Sequence, residues 1–501
     1  MRMKLRIDFL RNVVSSMLPQ FMNIVTYLIL PTMIISGYGS QTNGLISTVR
    51  NIISYISLVG AGIALATTQA LYAPVANRDV EQVKGMMKAS ANLFNRCGIV
   101  YVVIVLIVAL VYPFLIRSDI SYSTMALLLV VMSVSGASEF FIVGRCRSLL
   151  YANQKVYVCT TIQAASLLIS LVLAIVMLSM HVNILLVQLS ISFVYVSRAI
   201  MLYFYVEKKY PEYRIDKTTK PISKAVEKRK DAMVHQLSGL LVLSSQTIVL
   251  TLMVNLEAAS IYAVYNIVFS GLVSICGNIQ SAITPYLGKS YAIESGERVQ
   301  KKFNLLEVAY YALTFVIFFT TSKTILSFVA LYTKNADINY IYEDFALLFT
   351  AVQIFNVFRL PSSAMINVAG HFRETRSRAL IESSICVATS VLFTYLFGMC
   401  GVLMGFGCAV GWRCLDMVVY ARKRILQSNY IQSIFRLVRI YVYIFSIYYF
   451  IPNTFVAVNG YVMWCLNALI CLCLALAILS LDFLIFERKI IRTFRMKTLK
   501  N

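Results

Sequence analysis

Charge is scarce in this sequence. Only 13% of its 501 residues are Asp, Glu, Lys or Arg, against 59% hydrophobic residues. A soluble multi-domain chain is excluded by that balance. Histidine is rarer still: His181, His235 and His371 stand far apart. Cysteines such as Cys159, Cys276, Cys386, Cys408, Cys465 and Cys471 lie in apolar runs, where a thiol behaves as a small hydrophobe. No metal-ligand spacing emerges, and no cofactor is implied. The chain has no P-loop, no nucleophile elbow and no carboxylate pair facing an outer domain. ATP bound to this chain is therefore excluded as a direct driving force.

What is present is a succession of apolar runs of about twenty residues, the mark of a polytopic helical membrane protein. Fourteen spans are expected, near 9–35, 43–72, 91–116, 122–146, 154–180, 182–206, 232–254, 258–287, 303–331, 341–367, 379–397, 400–421, 437–455 and 459–486. The first is too long for a signal-peptide core and lacks a small-residue cleavage site, so it is expected to remain as a span. The net charge of +23 resides in alternate loops. One set carries Arg2 to Arg11, Arg78 to Lys88, Arg145 to Lys155, the 207–231 loop, Lys289 to Lys302, Arg373 to Arg378, Arg422 to Arg436 and the tail from Arg488. The other carries only Arg117, Lys323 and Lys334 near its ends. The positive-inside rule then places both termini in the cytoplasm. With basic residues distributed in short loops, and no basic soluble domain, nucleic acid is not an expected partner. The outer loops, such as 36–42, 117–121, 181–183 and 255–257, are too short to fold into a catalytic domain.

The longest connection, 207–231, holds nine Lys or Arg, five acids and two prolines. It reads as a solvated linker over lipid headgroups. It divides an N-terminal six-helix lobe, 1–206, from a C-terminal six-helix lobe, 232–426, with two further helices and a basic tail in 427–501. A shift of 216 residues superposes Ser54 on Ser270, Ile63 on Ile279, Thr68 on Thr284 and Glu81 on Glu297, and places Arg50 on Asn266. The expected fold is therefore all-α, with two pseudo-symmetric lobes and a substrate site at their interface.

The second span carries the most informative pattern. At helical spacing one face reads Asn43, Ser47, Arg50, Ser54, Ser57, Ala61, Ala64 and Thr68, and the other reads Val49, Ile53, Ile56 and Ile63. Such a helix turns its polar stripe to protein or water, and a charge within the stripe points to a pathway or a partner. Arg50 reads either as a side chain snorkelling to the outer end or as a contact for an anionic ligand, phosphate above all. The second is the working expectation. The first span offers Asn12, Ser16, Pro19, Asn23 and Thr26 on one face, with Pro19 and Pro31 positioned to bend it. Further candidates for substrate contact are Arg359, which precedes Leu360-Pro361 at an expected helix break, and Arg413, which is spaced to pair with Asp416. Glu139 reads as a partner for an inner arginine or as a proton or cation site. His235 reads as a headgroup-level histidine or a proton sensor. Lys323 is expected to snorkel.

The fourteen-span plan and NGLISTVRNIISYISLVGAGIALATTQALY (43–72) resemble Wzx-type polysaccharide flippases of the multidrug/oligosaccharidyl-lipid/polysaccharide exporter superfamily. So do VYNIVFSGLV (264–273), FRLPSSAMINVAGHFRETRSRALIE (358–382) and CGVLMGFGCAVGWRCLDMVVYARKRIL (400–426). The resemblance spans essentially the whole chain. It implies a V-shaped pair of lobes around a cationic cavity, no enzymatic activity, and flipping of an undecaprenyl-diphosphate-linked oligosaccharide across a bacterial cytoplasmic membrane. Arg50, Arg359 and Arg413 fall at positions that are polar or basic in such proteins, and Asn23, Ser54 and Asn266 join them as substrate-contact candidates. Expected partners are the lipid-linked oligosaccharide, membrane lipid, and a polysaccharide polymerase with other assembly proteins. The competing expectation is a MATE-like cation-coupled drug antiporter, which calls for an acid-rich cavity.

Overall fold

A computed structural model describes residues 2–60, 63–116, 118–153, 155–215, 219–222, 229–450 and 460–487. Among these residues the chain is all-helical, with no strand. The helices are α1 (Arg2–Ile56), α2 (Ile63–Ala76), α3 (Val80–Val111), α4 (Tyr122–Ser138), α5 (Gly144–Ala152), α6 (Val156–Ser179), α7 (Ile184–Lys209), α8 (Arg229–Met253), α9 (Leu256–Ile293) and α10 (Gly296–Tyr332). They continue with α11 (Glu343–Phe358), α12 (Leu360–Val368), α13 (Phe372–Phe397), α14 (Met399–Tyr420), α15 (Ile431–Phe450) and α16 (Tyr461–Phe486). Apolar runs set their lengths, and short polar residues close their first turns. Asp79 accepts from the Gln82 N–H, Ser121 from Thr124 and Asn183 from Leu185.

Among the described residues eleven segments are long and apolar enough to cross a membrane, which makes this a multi-pass membrane protein. Twelve of the fourteen expected spans fall wholly or in part on these segments, and the seventh and thirteenth fall on α8 and α15, which are not among them. Met17–Gly60 contains the first expected span and part of the second, Leu241–Met253 is the apolar stretch of the seventh, and α15 is the thirteenth. The second expected span needs correction, because 43–72 is not one helix. The α1 helix ends at Ile56, a 3₁₀ turn covers Ser57–Gly60, and α2 starts at Ile63. The sequence remains apolar through this break, so hydropathy does not reveal it. At the break the backbone is closely packed: a Cβ on Gly60 would overlap the Phe140 ring.

Two compact units are present. The first comprises Met1–Ala263 with Asn335–Ile338, and the second Val264–Lys334 with Asn339–Asn501. The division falls within α9, and α8 packs on α1 inside the first unit. There Thr48 and Thr251 exchange a buried hydrogen bond of 2.6 Å, and Asn43 donates to Ser260 at 2.7 Å. The first unit's core gathers Leu45, Val49, Tyr101, Leu128 and Leu129. Part of the 207–231 connection belongs to this packing and is not solvated. The Ile222 N–H donates to the Gly85 carbonyl, and its side chain packs with Leu71, Met86 and Leu149. Residues 216–218 and 223–228, and the tail from 488, lie outside the described residues.

The second unit is built on stacked aromatics. Phe269 and Phe349 lie 5.0 Å apart and nearly parallel, Tyr265 meets Phe345 edge-on, and the Tyr265 hydroxyl donates to the Tyr340 carbonyl at 2.9 Å. Its α10, α15 and α16 and the turn that follows α14 are joined at one end by buried charges. Glu307 meets Arg422 and, at 2.6 Å, Arg436. Arg436 continues to Glu487 at 2.9 Å, and Arg439 joins Glu487 to Asp482, each at 2.9 Å. Three guanidiniums thus balance three carboxylates, which is how such groups survive burial. Lys323 is also buried and donates to the Tyr448 carbonyl at 3.4 Å, so it does not snorkel.

Candidate functional site

The site begins with the bend in α1. Gly39 has φ 82° and ψ 164°, a conformation that L side chains rarely adopt, and it reverses the helix into two arms, 2–38 and 40–56. The second arm is capped from elsewhere in the unit. Asp337 accepts the Ser40 N–H at 2.9 and 3.1 Å and also takes the Ser40 hydroxyl. Burial opposes ionisation of Asp337, but the Ser40 hydroxyl and N–H, with backbone N–H groups of Asp337 and Ile338, outweigh it and hold the carboxyl below the usual range.

Arg50 lies about 16 Å beyond Gly39 along the second arm, at ~1.5 Å per residue, or about half the depth of a hydrocarbon core. Its side chain is exposed, and its guanidinium stands 5.2 Å from the centre of the Tyr27 ring on the first arm. Among the described residues no carboxylate lies within ion-pair distance of Arg50. Asn23 precedes Tyr27 by one helical turn and Ser54 follows Arg50 by one. Both are half-buried and occupy the same level of the hairpin, one turn farther from Gly39. Ser54 donates to the Arg50 carbonyl at 2.9 Å. Arg198 of α7 stands 5.3 Å over the ring of Tyr195 on the same helix. The other expected acid of this unit, Glu139, is not free. It contacts Arg147 at 2.6 Å and Arg198 at 3.4 Å. His235 falls in α8, with its side chain outside the described part.

The candidates of the second unit are placed differently. Arg359 keeps helical backbone angles, so α11 passes into α12 with little interruption, and its guanidinium pairs with Glu382 at 2.6 Å. Arg413 meets Glu382 at 3.3 Å and Asp416 at 2.7 Å, and Arg378 also engages Asp416. These carboxylates give Arg359 and Arg413 structural partners, so an anion would have to compete for them. Asn266 is half-buried on α9, with Ser270 exposed one turn on. The structure therefore separates the three arginines read from sequence: two stand in an ion-pair network, and Arg50 stands in the open beside Tyr27. Sequence reasoning missed Tyr27, Tyr195, Glu382 and Asp337. Tyr27 was recoverable, since it sits one turn from Asn23 and mirrors Arg50 about Gly39. Glu382 reaches Arg359 only across the packing of two helices.

No family model matches this sequence, and no curated protein sequence does. Solved structures match over most of the chain. The lipid II flippase MurJ, in an inward closed conformation, superposes with a TM-score of 0.69 at 13% identity, covering 94% of this chain and 100% of that one. A multidrug resistance MATE family transporter of the MOP superfamily, facing inward, gives 0.61 at 12% identity, over 86% and 99%. The likeness is one of fold, shared with this flippase and this transporter. A MOP superfamily transporter from Pyrococcus furiosus, described as having a binding pocket of reverse polarity, gives 0.54 at 13% identity, over 87% and 96%.

Proposed function

We propose that this protein flips an undecaprenyl-diphosphate-linked oligosaccharide from the inner to the outer leaflet of a bacterial cytoplasmic membrane. It does so by alternating access, with both termini cytoplasmic, and supplies a cell-surface polysaccharide. The observation that carries the reading is Arg50, an exposed guanidinium at mid-span depth with an aromatic neighbour and no carboxylate partner among the described residues. A charge in that position is costly against lipid and is retained where water or an anion meets it. A diphosphate with its sugars cannot cross hydrocarbon unaided, and a planar guanidinium suits phosphate oxygens. Asn23 and Ser54, level with each other on the same hairpin, and Asn266 on α9 offer hydrogen bonds to sugar hydroxyls. The fold shared with a lipid II flippase supports the same cargo class. A polysaccharide polymerase and other assembly proteins are proposed to receive the product.

The fold shared with a MATE transporter favours a second reading, a cation-coupled drug antiporter. Such a role requires a carboxylate available to a cation. Glu139, Glu307, Glu382, Asp416 and Asp482 are each paired with at least one arginine. The flippase reading is preferred on that ground. It is tested in the producing cell: Arg50→Ala is expected to insert normally and to stop polymer assembly. Normal polymer in that variant removes Arg50 from the mechanism.

A further inference from the structure

The first unit holds a second group of cations that the role of Arg50 does not use. A π turn, Glu139–Val143, joins α4 to α5. It turns Phe140 onto Gly60 and to within 5.1 Å of the Tyr101 ring, while Glu139 faces two arginines. One Glu139 oxygen meets Arg147 of α5 at 2.6 Å, and the other meets Arg198 of α7 at 3.4 Å. Each guanidinium is therefore held by a single carboxylate oxygen, and neither has the two-point engagement that makes such pairs strong. The group has an excess of one positive charge, and it is open: the side chains of Arg147 and Glu139 are 37% and 32% exposed. From the end of α5 at Ala152, Arg147 lies about 8 Å and Glu139 about 20 Å along the span, at ~1.5 Å per residue. Cations thus run from near the basic 145–155 loop to the middle of the unit. A π turn disrupts regular helix hydrogen bonding and often marks a functional position, where it aims a side chain. Here the aimed side chain is the one acid of the cluster.

We infer that Arg147 and Arg198 form a phosphate-binding site separate from Arg50, in which Glu139 is the resident counter-ion that an incoming diphosphate displaces. The inference rests on the proposed diphosphate cargo. A multiply charged diphosphate has enough oxygens to engage both guanidinium forks at once, where the single carboxylate engages each at one point. The Glu139 side chain is 32% exposed, so its displacement does not strand a fully buried charge. The site would capture the diphosphate on the side of the basic loops and leave Arg50 to receive it deeper in the span.

The test uses the full chain in phosphatidylcholine nanodiscs, with farnesyl diphosphate and inorganic diphosphate as probes. Removing the counter-ion with Glu139→Gln is expected to tighten diphosphate binding about tenfold, the scale of one charge-assisted contact. Arg147→Gln combined with Arg198→Gln is expected to weaken it at least about tenfold, with Arg50 intact. Glu139→Gln leaves two cations facing each other, so its melting temperature should fall and recover on adding inorganic diphosphate. This variant keeps the proposal falsifiable if the double variant does not fold. Tightening with both probes assigns the contact to diphosphate itself, tightening with farnesyl diphosphate alone assigns it to the lipid-carried form, and either supports the site. Unchanged binding in Glu139→Gln and in the double variant, with loss in Arg50→Ala, overturns the site while the cargo reading stands. A Glu139→Gln effect seen only with added phosphatidylglycerol also overturns it, in favour of a headgroup contact. No diphosphate binding by any form, wild type included, overturns the cargo reading and the site together.

Discussion

Replacing Glu307 by Gln should unfold the second unit more readily than any change at Arg50. The Glu307 side chain is 2% exposed, and it serves Arg422 and Arg436, which are 3% and 4% exposed. Gln keeps the shape and removes the charge, so two buried guanidiniums lose the carboxylate they share. Breaking a buried pair in this way costs ~3–5 kcal/mol, because the remaining charge stays desolvated. At roughly 2–4 °C per kcal/mol for a domain near this size, the apparent melting temperature should fall on the order of 10 °C. The chain supplies its own reporter: its cysteines are not in disulfides and several are buried, among them Cys276, Cys414 and Cys471 of the second unit. A thiol-reactive fluorogenic dye in detergent therefore reads unfolding directly. Combining Glu307→Gln with Arg422→Gln restores charge balance and should recover part of the loss, a positive coupling in a double-mutant cycle. Arg50→Ala, which breaks no ion pair among the described residues and gives up one exposed cation–π contact of ~0.5–1 kcal/mol, should melt within a few degrees of wild type, roughly 1–4 °C. A Glu307→Gln shift no larger than that of Arg50→Ala would refute the division between arginines that hold the fold and the one left free for a ligand.

Three further outcomes are expected. Asp337→Asn should lower the melting temperature by a few degrees, since weakening a helix cap costs about 1 kcal/mol. Because the Asp337 carboxyl is held below its usual range in the folded state, its contribution is present above the ordinary aspartate range and is lost as pH falls through the depressed value. The difference between wild type and Asp337→Asn should therefore be constant at neutral pH and vanish in strong acid, which melting curves across pH will show. Gly405→Val should destabilise the second unit by ~1–3 kcal/mol or more through overpacking, because even a Cβ there would overlap the Ser390 backbone of α13, and the thiol dye would report it. Tyr27→Leu should slow flipping about two- to fivefold by removing an exposed cation–π contact of ~0.5–1 kcal/mol, and Tyr27→Phe should largely retain it, as a rate assay in vesicles will decide.

Helical spans were legible in the sequence because hydropathy reports burial in lipid without needing tertiary detail. The polar stripe carrying Arg50 was legible for the same reason, since helical spacing alone sets it apart from Val49 and Ile56. Breaks within apolar sequence were not. The 3₁₀ turn at Ser57–Gly60 packs against the Phe140 ring, a contact distant in sequence, and the π turn at Glu139 leaves no change in composition. Pairing followed the same rule. Arg413 with Asp416 is a spacing on one helix and could be read directly. Arg359 with Glu382, and Glu307 with Arg422 and Arg436, depend on which helices pack together. That is why three arginines looked alike in the sequence and only one stands apart in the structure.

The most direct measurement is flipping of a fluorescent undecaprenyl-diphosphate oligosaccharide in proteoliposomes, wild type against Arg50→Ala, with and without a pH gradient. The account predicts flipping by wild type and its loss in Arg50→Ala at unchanged protein incorporation, with the gradient dependence reporting whether protons drive it. Equal flipping by both proteins, or none by wild type alongside uptake of cationic dyes, would contradict it.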